Sequence, residues 1–218
     1  MTTTTVRGMI LSSMPIGEYD RRLEILTDSL GRISAFARGA RKPSSSLVSA
    51  TRVFAFGEFD LYEGRNSYNI NSARISNYFE ELSSDVERNF YGFYFLEVSS
   101  FFTREGLDAK ETLKLLYQSL RALCKDSLDN RLVCSVFELK MLEINGICPS
   151  AEEIAVRFDL QQATVYTVDF VKKTPVEKLY TFTLAENIML EFTSLTRMLL
   201  QNATDKRFKS LVMLEDLR

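Results

Sequence analysis

Three basic side chains, Arg38, Arg41 and Lys42, crowd the stretch FARGARKPSSS (36–46). Gly39 permits a backbone turn between them, and Pro43 stiffens the exit. Guanidinium and ammonium groups gathered in a turn suit the holding of phosphates. A solvated turn is the plainer reading of the same residues. The strand pattern of RISAFAR adds geometry. At period two, Arg32, Ser34, Phe36 and Arg38 share one face, and Ile33, Ala35 and Ala37 share the other. Two guanidiniums flanking an aromatic ring combine the charge and the stacking surface that single-stranded nucleic acid requires. Phe36 itself reads two ways, as a stacking ring or as a core residue at a bend.

The chain as a whole is no polycation. Its 218 residues carry a formal net charge of −2, so attraction to a polyanion must come from a local patch. Ten Arg and Lys stand against eight Asp and Glu through residue 80, and seventeen against twenty-one beyond it. The positive half therefore holds the basic loop. Arg7, Arg22 and Arg65 belong to the same half and are weaker candidates, because each taken alone reads as a solvated charge.

Other chemistry is missing. With no histidine, Cys/His zinc sites, Ser-His-Asp triads and histidine general bases are excluded. Cys124, Cys134 and Cys148 form no C-x-x-C pair and have apolar neighbours, which points to reduced thiols in a cytoplasmic protein. Neither a P-loop nor a G-x-G-x-x-G fingerprint occurs. Glu80/Glu81 and Glu152/Glu153 suit helix starts, where anions favour the dipole, better than acid–base work. The apolar start is too short for a signal peptide, and NFYGFYFLEVSSFF (89–102) is too short to span a bilayer. The expectation is a soluble, non-enzymatic protein with no cofactor, no metal and no membrane.

The elements that must position the basic groups can be read from periodicity. VRGMILSS (6–13), RLEILTD (22–28), RISAFARG (32–39), VFAFGEFDLYEG (53–64) and RNSYNINSARI (65–75) read as five short strands, suggesting a small barrel or sandwich. From about residue 83 the period becomes helical: 83–102, which is apolar nearly all round and expected at the centre of a bundle, then 109–125, 129–149 and a helix opened by Ser150 as N-cap. ATVYTVDF (163–170) and EKLYTFTL (177–184) are rich in β-formers and read as a hairpin projecting from the bundle. Helices return at 185–203 and 204–217, with Asn202 and Thr204 marking the break. In the last helix Arg207 and Lys209 flank Phe208. They suit an acidic partner peptide whose apolar end enters a groove, or else Phe208, Leu211 and Leu214 simply face the core.

Several stretches resemble the RecO family of bacterial recombination mediators. They are VRGMILSS, PIGEYD (15–20), ILTDSLGRISAFARGARKPSSSL (25–47), FGEFDLYEG (56–64), MLEINGICP (141–149) and FKSLVMLEDL (208–217). The resemblance implies an α+β protein, with an N-terminal OB-fold barrel (1–80) followed by a helical bundle domain (81–218) that carries a small zinc-free β-hairpin insertion at about 163–184. It implies binding of single- and double-stranded DNA, strand annealing, recombinase loading and no catalytic centre. Implied partners are RecR and the acidic C-terminal tail of single-strand-binding protein. Many members carry four cysteines after the G-x-x-P helix end as a zinc ribbon; this segment has none, so zinc is not implied here. With the resemblance, Arg38, Arg41 and Lys42 lead the DNA-binding candidates, followed by Arg32. The alternative is a protein-interaction adaptor whose barrel binds an acidic partner, and a hydrolase with an unusual site is a distant third.

Overall fold

The computed structural model describes residues 3–64 and 67–216. Five strands come first: β1 (Thr3–Ile16), β2 (Asp20–Thr27), β3 (Arg32–Ala37), β4 (Phe56–Glu63) and β5 (Tyr68–Asn77). All neighbours are antiparallel except β3 and β5, and the order β1-β2-β3-β5-β4 returns to β1 as a closed barrel. Five strands in this Greek-key order make an OB-type barrel. The long β1 supplies both seams, pairing with β2 on one side and β4 on the other.

Alternation explains the interior. Ile33, Ala35 and Ala37 of β3 are buried with Val6, Ile10, Leu23, Ile25, Phe59 and Leu61. The small alanines let β3 approach the opposite wall. Between Ile10 and Ser12 the pairing of β1 with β2 slips by one residue. A slip of one residue sends each later side chain to the other face. Val6 and Ile10 point inward, whereas Met14 and Ile16 are 56% and 42% exposed.

A short helix, α1 (Leu47–Ala50), lies between β3 and β4, and Glu80–Ser84 form a 3-10 turn. Then come α2 (Val86–Phe102), α3 (Lys110–Leu123), α4 (Asn130–Ile144), α5 (Ala151–Arg157), α6 (Gln162–Lys173), α7 (Glu186–Thr204) and α8 (Lys209–Glu215). The chain divides into two compact units, Met1–Glu80 with Leu96–Leu113, and Glu81–Phe95 with Lys114–Arg218. Within the first unit, residues 100–105 dock on the barrel. Arg32 pairs with Glu24 and donates from Nε to the Thr103 carbonyl at 3.1 Å, and Ser100 donates to Glu24 at 3.0 Å. Gly31, at φ +69°, sits where an added Cβ would fall 2.0 Å from the Arg104 carbonyl oxygen.

In the second unit α4, rather than α2, is the fully enclosed helix: every residue from Leu132 to Leu142 is buried. Phe137 stacks on Phe95 with centroids 4.2 Å apart. Ser150 does cap α5, through a reciprocal capping box with Glu153. No helix among the described residues is long and apolar enough to cross a membrane.

Two further expectations fail. The segment expected as a hairpin over 163–184 is helix α6, then a 3-10 turn at Val176–Lys178 and an unpaired stretch. The residues ATVYTVDF satisfy two periods at once. Thr164, Thr167, Val168 and Val171 are all buried, and their i, i+3, i+4, i+7 spacing is that of a helix stripe. Packing of that stripe outweighs the modest helix reluctance of β-branched residues. Lys140 secures the end by donating to the carbonyls of Val171 and Lys172 at 3.2 and 2.7 Å. The second misplacement is a boundary: α7 runs through Thr204, Asp205 turns left-handed at φ 46°, and α8 begins only at Lys209.

Candidate nucleic-acid interface

The basic loop is pinned rather than loose. β3 ends at Ala37, and Gly39 takes φ +66° so that its N–H donates to the Asp20 carboxylate at 2.7 Å. The turn closes with Lys42 N–H to the Gly39 carbonyl at 3.0 Å and Ser45 N–H to the Lys42 carbonyl at 2.9 Å. Arg41 then reaches the β1–β2 turn. Its backbone N–H donates to the Tyr19 carbonyl at 2.9 Å, and its guanidinium to the carbonyls of Gly17 and Glu18 at 3.3 and 3.2 Å. The Lys42 ammonium sits 5.1 Å from the centre of the Tyr19 ring. Two loops far apart in sequence thus form one cationic corner.

Strand pairing extends this corner into a face. Met14 of β1 lies opposite Arg22 of β2, Arg22 opposite Phe36 of β3, and Phe36 opposite Asn69 of β5. One row of outward residues therefore crosses four strands. Phe36 is half-buried on this face and absent from the barrel core, while Arg38, at the end of the same strand, is exposed. Arg22 is exposed as well and donates to the Ser34 hydroxyl at 3.3 Å. Exposed Met14, Ile16 and Tyr19 add apolar surface beside the cations.

The expected candidates fall into three groups. The row and corner bring together Arg38, Arg41, Lys42, Phe36 and Arg22. Arg32 stands apart, because its charge is met by Glu24 and it ties residue 103 to the barrel. Arg7 is exposed but lies opposite Glu58, seven positions from Met14 along β1, about 23 Å at the strand rise. Arg65 lies outside the described residues. Tyr19, Met14, Ile16 and Asn69 were not singled out from sequence. Tyr19 was within reach, since it lies in PIGEYD, but the others depend on the bulge and the strand pairing.

In the second unit, Arg207 and Lys209 are exposed and Phe208 is buried, with Leu211 and Leu214 also inward. Phe208 meets the Tyr94 ring edge-on at 5.7 Å. Beside them a hollow is lined by Arg197, Leu200, Lys206, Arg207 and Leu211. Below it, buried Glu138 accepts from the Tyr94 hydroxyl at 2.7 Å, the Thr196 hydroxyl at 2.8 Å and Arg197 Nε at 2.9 Å. Burial, and then the Glu138 charge, push the Tyr94 phenol well above its usual pKa, so it stays a donor.

All three thiols are raised as well, chiefly by burial; Cys124 reaches about 11. A raised thiol pKa keeps the thiolate fraction low near neutral pH. Among the described residues no cluster of Cys, Asp and Glu could hold a metal ion.

Family models described as "Recombination protein O N terminal" and "Recombination protein O C terminal" match residues 1–79 and 83–157. A DNA repair protein RecO of Alkaliphilus metalliredigens is 33% identical over 142 residues, which is 65% of this chain and 58% of that protein. One of Clostridium novyi is 25% identical over 94% of this chain and 91% of its own length. One of Clostridium perfringens is 24% identical over 95% of this chain and 96% of its own length. The two family matches together span most of the chain, and full-length relatives carry the same name: this chain belongs to the RecO family.

Proposed function

We propose that this protein acts in DNA repair and recombination by capturing DNA strands on the Arg38–Arg41–Lys42 face of its barrel. One observation carries the reading. Arg32, Arg52 and Arg74 of the barrel are paired with Glu24, Glu80 and Glu58, whereas among the described residues no carboxylate pairs with Arg38, Arg41 or Lys42. Charges left without a counterion partner on a rigid turn are suited to phosphates, because binding releases condensed cations into solution.

Annealing follows from the same physics. Neutralising phosphates lowers the repulsion between two strands brought onto one surface. The mediator role extends this to recombinase loading, with RecR as one partner. The acidic tail of single-strand-binding protein is the other, received at the hollow rimmed by Lys206 and Arg207. Binding of single- and double-stranded DNA in the cytoplasm, without turnover, is the whole of the proposed chemistry.

The test is binding of a fluorescent oligonucleotide across a salt series, for the wild type and for Arg38→Ala/Arg41→Ala/Lys42→Ala. Three lost phosphate contacts at about 0.7 each flatten the log–log salt slope by about 2. A folded triple variant that binds like the wild type moves the DNA surface elsewhere. A wild type that binds no DNA at low salt favours the adaptor alternative, with the corner serving an acidic protein.

A further inference from the structure

EKLYTFTL (177–184) reads as a strand from its residue types, yet among the described residues no strand pairs with it. Residues 182–185 run free of helix and turn into α7, and Ala185 is extended at φ −66° and ψ 151°. Among the described residues, Phe182, Thr183 and Leu184 neither donate nor accept a backbone hydrogen bond. Their burial alternates: Phe182 and Leu184 are half-buried, while Thr181, Thr183 and Ala185 are exposed. Burial of period two belongs to a strand with one covered face, and unpaired backbone groups along it are a template for another strand.

The covered face borders a groove within the second unit. One wall is the outward stripe of α6, where Gln162, Tyr166, Phe170 and Lys173 follow helical spacing; Thr181 to Leu184 form the other. The rings of Phe170 and Phe182 meet edge-on at 5.1 Å and join the two walls. Tyr166 is 69% exposed beside them, and a wet tyrosine next to other rings is the kind of residue that anchors protein interfaces. The rim carries little net charge. Lys173 pairs with Asp169 at 2.8 Å, and Glu177 with Lys114 at 3.4 Å. A polyanion gains little from such a rim, whereas a near-neutral apolar strand can cover it.

We infer that the occupant is a second copy of this chain, docked strand to strand across a two-fold axis at Thr183. The segment is complementary to itself. Antiparallel pairing about Thr183 sets Phe182 opposite Leu184 of the second copy on the covered face. It sets the two Thr183 side chains opposite each other on the open face, a favourable cross-strand pair. Thr181 comes opposite Ala185, so no charged or bulky side chain obstructs the approach. The same register brings Glu186 of the second copy beside residue 180, two positions from exposed Lys178, and among the described residues no carboxylate pairs with Lys178. A two-fold axis uses one patch twice, and strand addition gives these backbone groups the partners that the chain itself lacks.

The experiment follows the mass of the full chain by sedimentation from about 1 to about 100 µM, a range that brackets a micromolar dimer. The wild type is expected to pass from monomer to dimer. Tyr166→Ala, at an exposed position, is expected to weaken the dimer about tenfold or more with helix content unchanged, because a two-fold interface loses the ring twice. Cross-linking with diamide reads the register. Thr183→Cys is expected to yield a disulfide-linked dimer above the background of the native thiols, since the two residues 183 face each other. Thr181→Cys is not, because its mate lies four positions along the strand, about 13 Å away. A wild type that stays monomeric throughout leaves the groove to a foreign extended segment and overturns the inference. A dimer that Tyr166→Ala leaves unchanged overturns it too, as does cross-linking no stronger at 183 than at 181.

Discussion

Tyr19 and Tyr94 each carry a cation over the ring, and they end in opposite roles. Lys42 lies 5.1 Å from the Tyr19 ring centre, and Arg197 lies 5.5 Å from that of Tyr94. Tyr19 is 44% exposed on the barrel surface, and among the described residues no carboxylate answers the Lys42 charge. Tyr94 is fully buried, and Glu138 binds both its hydroxyl and Arg197. A cation over a wet ring contributes about 0.5–1 kcal/mol and leaves the charge available; a desolvated one is worth about twice that and must be neutralised. Residue types therefore do not separate a binding surface from a structural network. The presence of a counter-charge and the degree of burial do.

Breaking the buried side should have the largest effect. Glu138→Ala strands Arg197 and the Tyr94 hydroxyl, and should cost about 3–5 kcal/mol, the scale for removing one partner of a buried pair. Denaturant melts would show it, and a loss under about 1 kcal/mol would mean that water enters and takes over Glu138's role.

Gly31→Ala is next. Its Cβ would collide with the Arg104 carbonyl oxygen at 2.0 Å, and its φ of +69° disfavours any side chain. A loss of about 2–3 kcal/mol is expected, with faster amide exchange around residues 103–106 as the local sign.

Arg32→Ala sharpens the comparison inside the barrel. Arg32 is paired, so its removal should lower stability by about 1 kcal/mol and leave the salt slope of DNA binding unchanged. Arg38→Ala should do the reverse, sparing stability and flattening the slope by about 0.7. If both variants flatten the slope equally, the paired charges contact DNA too.

The smallest effect is chemical. The Cys124 thiol is pushed up to about 11, mainly by burial, above its model-compound value of 9.0. A raised thiol pKa means that the native state favours the protonated form. Its contribution to stability is therefore complete below pH 9 and is lost as pH rises toward 11. Iodoacetamide should label Cys124 slowly in native protein at pH 8 and rapidly once the chain is unfolded. Fast native labelling would show an opening that exposes the thiol.

Much of this was legible from local pattern. The inward set Ile33, Ala35 and Ala37 followed from strict alternation, and the Ser150 cap from residue type. The cationic loop was legible because charge and glycine cluster in sequence. What failed did so where two periods coincided or where a register slipped. ATVYTVDF fits strand and helix alike, and only the buried stripe facing the bundle decided for α6. The parity of Met14 and Ile16 reverses at the bulge between Ile10 and Ser12, which no alternation through MILSSMPI announces.

The sequence alone determined a charge-bearing barrel strand, a helical second half and a chain without histidine chemistry, because those properties reside in composition and short-range period. Tertiary structure alone decided which arginines are neutralised, which aromatic rings remain wet, and that Arg22, Phe36 and Asn69 meet in one row across the strands. Those outcomes depend on residues far apart in the chain meeting across strands, and pairing, counter-charge and burial exist only once they have met.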